Sequence, residues 1–191
     1  MNVFFLFKRI RPASIVVLLA LLGGITGCKT QNHDTLPKRS EIPDLQNLTL
    51  QMQDSAGNPA KLVNGQFQGD HLNVQLLKTA AADLNQDGNI DGAITAFVDP
   101  GGSGNFRYLF LFLNDGTQLV NTDKSFIGDR IRVTNLSIDQ NIITVNYLDR
   151  ASGDAMAVKP YINQQVQYHV LGTKLKEISM VEAESNAGQP D

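Results

Sequence analysis

Side chains that carry oxygen alternate along the segment 83–91, whose sequence is DLNQDGNID. They occupy positions 1, 3, 5 and 9 of the segment, glycine stands at position 6, and the residue at position 7 can offer its backbone carbonyl. Calcium takes oxygen ligands, and this spacing turns alternate oxygens towards one ion while the glycine permits a sharp turn. The segment therefore predicts a calcium site. Its expected ligands are Asp83, Asn85, Asp87, Asn89 and Asp91.

The loop departs from the EF-hand pattern, which needs a bidentate glutamate at position 12, where Ile94 stands. The residues after the loop are apolar and predict a strand instead of a helix. The loop resembles those of dockerins, of thrombospondin type 3 repeats and especially of FG-GAP/VCBS-type repeats, in which such a loop runs directly into an apolar strand. The resemblance covers about 16 residues and occurs once in this chain, whereas those families carry several copies. It implies a structural calcium ion; the alternative is an Asp- and Asn-rich turn that bonds its own backbone and needs no metal.

Arginines and an aspartate beside the predicted strands form a second candidate site. Guanidinium groups grip carboxylates and phosphates, so such a cluster could bind an anion; the alternative is a set of structural or solvated ion pairs. Over 83–160 the chain has a polar loop, a predicted strand, a Gly-rich hairpin, a Gly-Asp-Arg sequence and a predicted strand that ends in Asp-Arg. This order resembles that of bacterial lipoproteins to which no activity is assigned. The residues of the cluster are Arg107, Asp129, Arg130, Arg132 and Arg150.

Few residues suit nucleophilic catalysis. The three histidines are His33, His71 and His169, and no serine lies in a nucleophile-elbow sequence. Aspartates are plentiful, so a pair of catalytic carboxylates remains open, as in glycoside hydrolases. We therefore predict no catalytic residue, with a hydrolase that uses dispersed acidic residues as an alternative.

The first 27 residues have the pattern of an export signal. Basic residues precede an apolar run at 13–22, which is too short to span a bilayer and matches the core of a secretory signal. The run ends in Ile25-Thr26-Gly27-Cys28, which resembles the lipobox of bacterial lipoproteins. The resemblance implies cleavage before Cys28 and diacylglycerol on its thiol. In Gram-negative lipoproteins an aspartate after the cysteine often signals retention in the inner membrane. This chain has Lys29 at that position, which favours anchoring at the periplasmic face of the outer membrane if the source is Gram-negative.

Composition and charge narrow the function further. Without the signal, three of the 16 basic residues are lost, which leaves 13 against 19 acidic ones and a net charge of −6. An acidic domain without a basic cluster is a poor candidate for nucleic-acid binding, so we expect no such partner.

We predict a signal peptide at 1–27, a lipidated polar tether at 28–45, a β-rich domain at 46–181 and a disordered tail at 182–191.

Alternating apolar residues predict short antiparallel strands separated by turns, which is typical of a β-sandwich or a barrel-like meander in a single domain. The segment 106–113 is apolar on both faces and predicts a central strand covered on both sides. Apolar residues change phase near Asn135, which predicts a β-bulge there. Further strands are predicted at 93–98, 62–67, 72–77, 143–147 and 166–171.

Together these features predict a membrane-anchored envelope lipoprotein whose domain is a binding or structural module. Its expected partners are the membrane, through the lipid on Cys28, and an envelope protein, a glycan or a peptide. Two alternatives remain: a periplasmic hydrolase, and an inhibitor of a foreign enzyme such as lysozyme. A pocket with converging carboxylates would favour the hydrolase, and a protruding rigid loop would favour the inhibitor.

Overall fold

The computed structural model describes residues 41–182, and the regular elements in this range are all β-strands. Within the same range no helix is long and apolar enough to span a membrane. The predicted signal, Cys28 and residues 183–191 lie outside the described residues. The strands are β1 Thr49–Gln53, β2 Pro59–Lys61, β3 Gln66–Gly69, β4 Leu72–Ala82, β5 Asp91–Asp99, β6 Phe106–Asn114, β7 Leu119–Asp129, β8 Arg132–Asp139, β9 Ile142–Asp149, β10 Ile162–Leu171 and β11 Lys174–Glu182.

Three antiparallel sheets form the fold. One has five strands in the order β3-β4-β5-β6-β7, one has four in the order β11-β10-β9-β8, and β1 and β2 make a small ribbon. One apolar core lies between the ribbon and the five-stranded sheet, and a second lies between the two larger sheets. The fold is therefore mainly β, with open antiparallel sheets packed face to face, as the sequence predicts, and the sandwich is the architecture observed.

Strand β6 shows how the sequence produces this layering. Successive side chains on a strand point to opposite faces. Phe110 and Phe112 therefore enter the core under the ribbon, and Leu109 and Leu111 enter the core between the large sheets. All four side chains are fully buried, and β6 lies between β5 and β7. The prediction of an interior strand covered on both faces is confirmed.

The bulge near Asn135 is also confirmed, because the pairing of β8 with β9 shifts register between Val133 and Asn135. The strand predicted at 62–67 is wrong. Asn64 and Gly65 have φ values of 52° and 77° and turn the chain between β2 and β3. Left-handed backbone at an Asn-Gly pair is typical of a tight turn, and it outweighs the apolar neighbours.

Packing of the described chain begins before β1. Leu45 is buried in the first core, and a Cβ atom on Gly92 would come within 2.5 Å of the Leu45 side chain. Glycine in β5 therefore leaves room for the Leu45 side chain in its present position. Leu45 is the last residue of the predicted tether at 28–45, but its side chain packs in the core. This residue therefore belongs to the folded domain.

Candidate functional site

The loop between β4 and β5 is the predicted calcium segment, and its side chains bond the loop's own backbone. The Asp83 carboxylate accepts hydrogen bonds from the amides of Asp87 (3.1 Å) and Gly88 (2.9 Å). The amide of Asp87 also lies 3.1 Å from Oδ1 of Asn85, whose Nδ2 donates to Asp87 Oδ2 at 2.9 Å. The hydrogen bond from the Asn89 amide, with others, lowers the pKa of the Asp87 carboxyl. Three of the predicted ligands, at 83, 85 and 87, therefore lie together in one tight turn.

Asp91 has a different environment, because it is fully buried at the start of β5. Its Oδ2 accepts the amide of Leu84 at 2.8 Å, and its Oδ1 accepts the amide of Asn114 at 2.8 Å. Burial raises the pKa of the Asp91 carboxyl, and the charge of Asp87 adds to the rise. Asp91 therefore links the loop to the end of β6.

Within residues 41–182, no three acidic, histidine or cysteine side chains lie close enough together to hold a metal ion. The donor set still fits calcium chemically, since Asp83, Asn85 and Asp87 bring carboxylate and amide oxygens into one turn. Both Asp91 oxygens are bonded to backbone amides, so Asp91 would join an ion only with an oxygen that keeps one of those bonds. The structure thus brings the predicted ligands Asp83, Asn85 and Asp87 together in one turn. Asp91 instead bonds the backbone amides of Leu84 and Asn114.

Asn114 was missed by the sequence reasoning, although it completes this end of the molecule. Its Nδ2 donates to the carbonyl of Ile90 at 3.1 Å, while its own amide bonds Asp91. The Asn-Asp-Gly sequence at 114–116 signals a turn, but nothing local indicates that this turn lies against a loop more than twenty residues earlier.

The predicted arginine cluster lies at the opposite end of the five-stranded sheet. Arg107 donates to the carbonyls of Asn105 (3.1 Å) and Phe106 (3.2 Å), and its guanidinium lies 4.8 Å from the centre of the Phe97 ring. Burial lowers the pKa of Arg107, and the nearby Asp129 carboxylate opposes this. Asp129 itself accepts the amide of Asn105 at 2.8 Å.

Two further arginines of the cluster also bond backbone carbonyls. The Arg150 side chain, only 8% exposed, donates to the carbonyls of Arg130 (2.9 Å) and Val158 (2.5 Å). Arg130 donates to the carbonyl of Ser103 and lies 3.8 Å from the Asp129 carboxylate. Arg132 is exposed. The structure therefore brings Arg107, Asp129, Arg130 and Arg150 into one network.

Among the open concavities on the described strands are two with polar linings. One, of about 500 Å³, runs beside the ribbon and is lined by Leu50, Gln51, Met52, Gln53, Pro59 and Lys124. The other, of about 270 Å³, lies over β3, β4 and β5 and is lined by Gln66, Phe67, Gln68, Asn73, Val74, Gln75 and Phe97. Neither lining contains a carboxylate or a histidine.

The two described histidines lie apart from these concavities' linings. His71 is exposed, with a φ of 53°, and its Nε2 is 3.6 Å from the Asp70 carboxylate. The ring of His169 lies 3.0 Å from the Asn141 amide.

No family model, curated protein or solved structure is significantly similar to the chain.

Proposed function

We propose that this chain is an envelope lipoprotein, anchored through diacylglycerol on Cys28, whose β-sandwich is a non-catalytic binding module. The anchor rests on the lipobox-like sequence that ends at Cys28. The binding role rests on one observation: open concavities on strand faces are lined by amides, apolar groups and one lysine. Strand faces are rigid, and a rigid surface loses little entropy when it binds.

The use of the charged side chains supports this proposal. Asp54 is buried in the turn between β1 and β2, where its carboxylate accepts the amides of Ala56 (3.1 Å) and Asn58 (2.8 Å). Asp123 similarly accepts the amide of Leu175 at 2.9 Å, which ties β7 to β11. Carboxylates bonded to backbone amides hold loops in place and have fewer free lone pairs for acid–base chemistry.

The module also binds one calcium ion in the 83–91 loop, and the ion is structural. Asp83, Asn85 and Asp87 supply side-chain oxygens, Asn89 supplies its carbonyl, and Asp91 joins through an oxygen that keeps its hydrogen bond to a backbone amide. A divalent cation offsets the repulsion between these neighbouring carboxylates, because opposite charges at short range favour their ionised forms. The lack of a glutamate at position 12 weakens the site to a Kd of about 10⁻⁴–10⁻³ M, as in extracellular modules.

Labelled palmitate tests the anchor. Cells that express the full chain should incorporate the label into the protein, and the protein should stay in the membrane fraction. Two or three acyl chains hold a protein on a bilayer almost permanently. The Cys28→Ser variant should be unlabelled and uncleaved before residue 28. Label on the serine variant, or an unlabelled wild type, would refute the lipoprotein assignment.

Activity assays on the purified chain separate the binding module from its two rivals. We expect no hydrolysis of p-nitrophenyl esters and glycosides, and no inhibition of lysozyme at micromolar protein. Turnover that a single carboxylate variant abolishes would establish the hydrolase, and stoichiometric inhibition would establish the inhibitor.

A further inference from the structure

We propose that the concavity over β3, β4 and β5 is a binding site for an uncharged oligosaccharide. The site, called here the amide face, consists of Gln66, Gln68, Asn73, Gln75 and Phe97. This inference rests on the proposed binding function and adds the site and the chemical class of its ligand.

Strand pairing brings the four amides together. Gln66 lies opposite Gln75 and Gln68 lies opposite Asn73 across β3 and β4, while Gln75 lies opposite Phe97 across β4 and β5. Side chains alternate between the two faces of a strand, so these five residues share one face. Phe67 and Val74, which also line the concavity, turn their side chains into the first core. Their backbone therefore forms the floor, and the amides form the walls.

The amides are arranged to bind a ligand. Within the described chain, none of these four side chains hydrogen-bonds another protein group. Gln167 offers the contrast, since it donates to Thr144 at 3.3 Å and accepts from Ser179 at 2.9 Å. Each amide carries both a donor group and an acceptor oxygen. A sugar hydroxyl also donates and accepts, so neighbouring amides match a row of hydroxyls in both senses.

Phe97 supplies the apolar part of the site. The ring is half-buried, and the Arg107 guanidinium lies 4.8 Å from its centre. Phe97 pairs with Gln75 on one side and with Arg107 on the other, so it lies between the amides and the arginine while it lines the concavity. The arginine fixes the ring, because a cation over an aromatic face is attracted by its quadrupole. The fixed ring can pack against the C–H face of a sugar.

Charge selects the ligand class. None of the residues that line the concavity is ionisable, and the neighbouring Asp99 and Arg107 already bond backbone groups, so a charged ligand would lose water there without gaining an uncommitted opposite charge. An acidic or basic peptide is therefore a poor match, and a neutral saccharide is a good one. The volume of about 270 Å³ lies just below the range of small-molecule pockets. We infer that one or two sugar rings occupy it, with the rest of the chain extending along the open sheet.

A nuclear magnetic resonance titration tests the site directly. The full chain is prepared in a sugar-free zwitterionic detergent, labelled with nitrogen-15, and titrated with maltohexaose, cellohexaose and chitohexaose, with hexagalacturonate as the charged comparison. At least one neutral probe should shift the side-chain amide signals of Gln66, Gln68, Asn73 and Gln75. The charged probe should bind at least tenfold more weakly.

Substitutions then show which side chains contribute to oligosaccharide binding. The Gln68→Ala/Gln75→Ala double variant removes two exposed amides and should weaken binding about tenfold or more, since hydrogen bonds contribute about 1 kcal/mol each. Phe97→Leu should also weaken binding while keeping an apolar side chain. The matched control is Gln118→Ala/Asn163→Ala, which removes two exposed amides that line neither concavity and should leave binding unchanged. Thermal melting confirms that each variant is folded.

The outcomes also distinguish this inference from the proposed function. Binding of a neutral probe that shifts the four amides and is lost in the double variant supports the amide face. Binding that instead shifts residues beside the ribbon overturns the amide face but leaves a binding module. Binding of none of the neutral probes overturns the inference, whereas loss of lipidation at Cys28 would overturn the anchor and leave the sugar site intact.

Discussion

The two ends of the five-stranded sheet fix their loops with opposite charges. At the end that carries the 83–91 loop, carboxylates accept backbone amides. Asp91 holds Leu84 and Asn114, and Asp115 holds the turn between β6 and β7. At the other end, guanidinium groups donate to the carbonyls of residues 103, 105, 106, 130 and 158.

The difference follows from which backbone groups the loops leave unpaired. Buried backbone amides and carbonyls must find partners, and unpaired ones cost free energy. Tight Asp- and Asn-rich turns direct their amides inward, where carboxylates accept them. The loops at the arginine end leave carbonyls, which only donors can satisfy, although Asp99 and Asp129 accept one amide each there. The acidic end therefore has several carboxylate and amide oxygens together in one loop, the kind of ligand that calcium prefers.

Phe110→Ala should have the largest effect, because Phe110 is fully buried in β6 between the two ends. The free energy of unfolding in urea should fall by about 3–5 kcal/mol, which is typical for a buried phenylalanine. Phe126→Ala is the control, since Phe126 is 52% exposed, and it should cost much less. A loss below about 1 kcal/mol for Phe110→Ala would show that β6 does not anchor both ends.

Asp91→Ala should be the most damaging change at the acidic end. It leaves the amides of Leu84 and Asn114 without acceptors, and each unsatisfied group costs about 1–3 kcal/mol. We expect a loss of about 2–4 kcal/mol in urea unfolding, and a smaller loss for Asp91→Asn, which keeps one acceptor oxygen. Equal losses for the two variants would contradict the role given to the two carboxylate oxygens.

Arg150→Lys should be the corresponding change at the arginine end. Lysine keeps the charge but loses the fork that reaches the carbonyls of Arg130 and Val158. The expected loss is about 1–3 kcal/mol, in the range of hydrogen bonds to charged groups. Arg132→Lys is the matched control, because Arg132 is exposed, and it should be near neutral. Equal effects would remove the structural role of Arg150.

The pH dependence of stability should differ within the acidic end. Burial raises the pKa of Asp91, whereas the hydrogen bond from the Thr117 side chain lowers that of Asp115. Stability linked to Asp91 is therefore present below the unfolded value of about 3.8 and is lost as pH rises through its folded pKa. Stability linked to Asp115 is present above about 3.8 and is lost as pH falls through its folded pKa. Carboxyl carbon resonances followed from pH 2 to 7 should separate the two, and identical midpoints would contradict this assignment.

Local sequence patterns predicted the strands well where apolar residues alternate. The double-sided apolar pattern of 106–113 gave the interior position of β6, and the phase change near Asn135 gave the bulge. Strand β11 was missed because it is polar and largely exposed up to Ser179. Strand β1 was missed because its alternating pattern follows a polar segment that indicated a tether.

The candidate sites were predictable only as far as they are local. Spacing alone identified Asp83, Asn85 and Asp87, which lie within one turn. It could not show that Asp91 bonds the amide of Asn114, because that contact depends on the register of β5 against β6. The amide face was missed for the same reason, since its residues come from three strands and no single segment signals them.

Calcium binding tests the difference between the two ends most directly. The full chain in detergent, freed of metal, is titrated with CaCl₂ in a calorimeter, and its melting temperature is measured with and without chelator. We predict one ion per chain with a Kd of about 10⁻⁴–10⁻³ M, and a melting temperature that rises with millimolar calcium because the ion binds only the folded state. Asp87→Ala should abolish both effects, and Asp115→Ala, at the same end but outside the loop, should keep them. No heat of binding, together with melting that chelator leaves unchanged, would contradict the calcium site and reduce the loop to a turn held by its own hydrogen bonds.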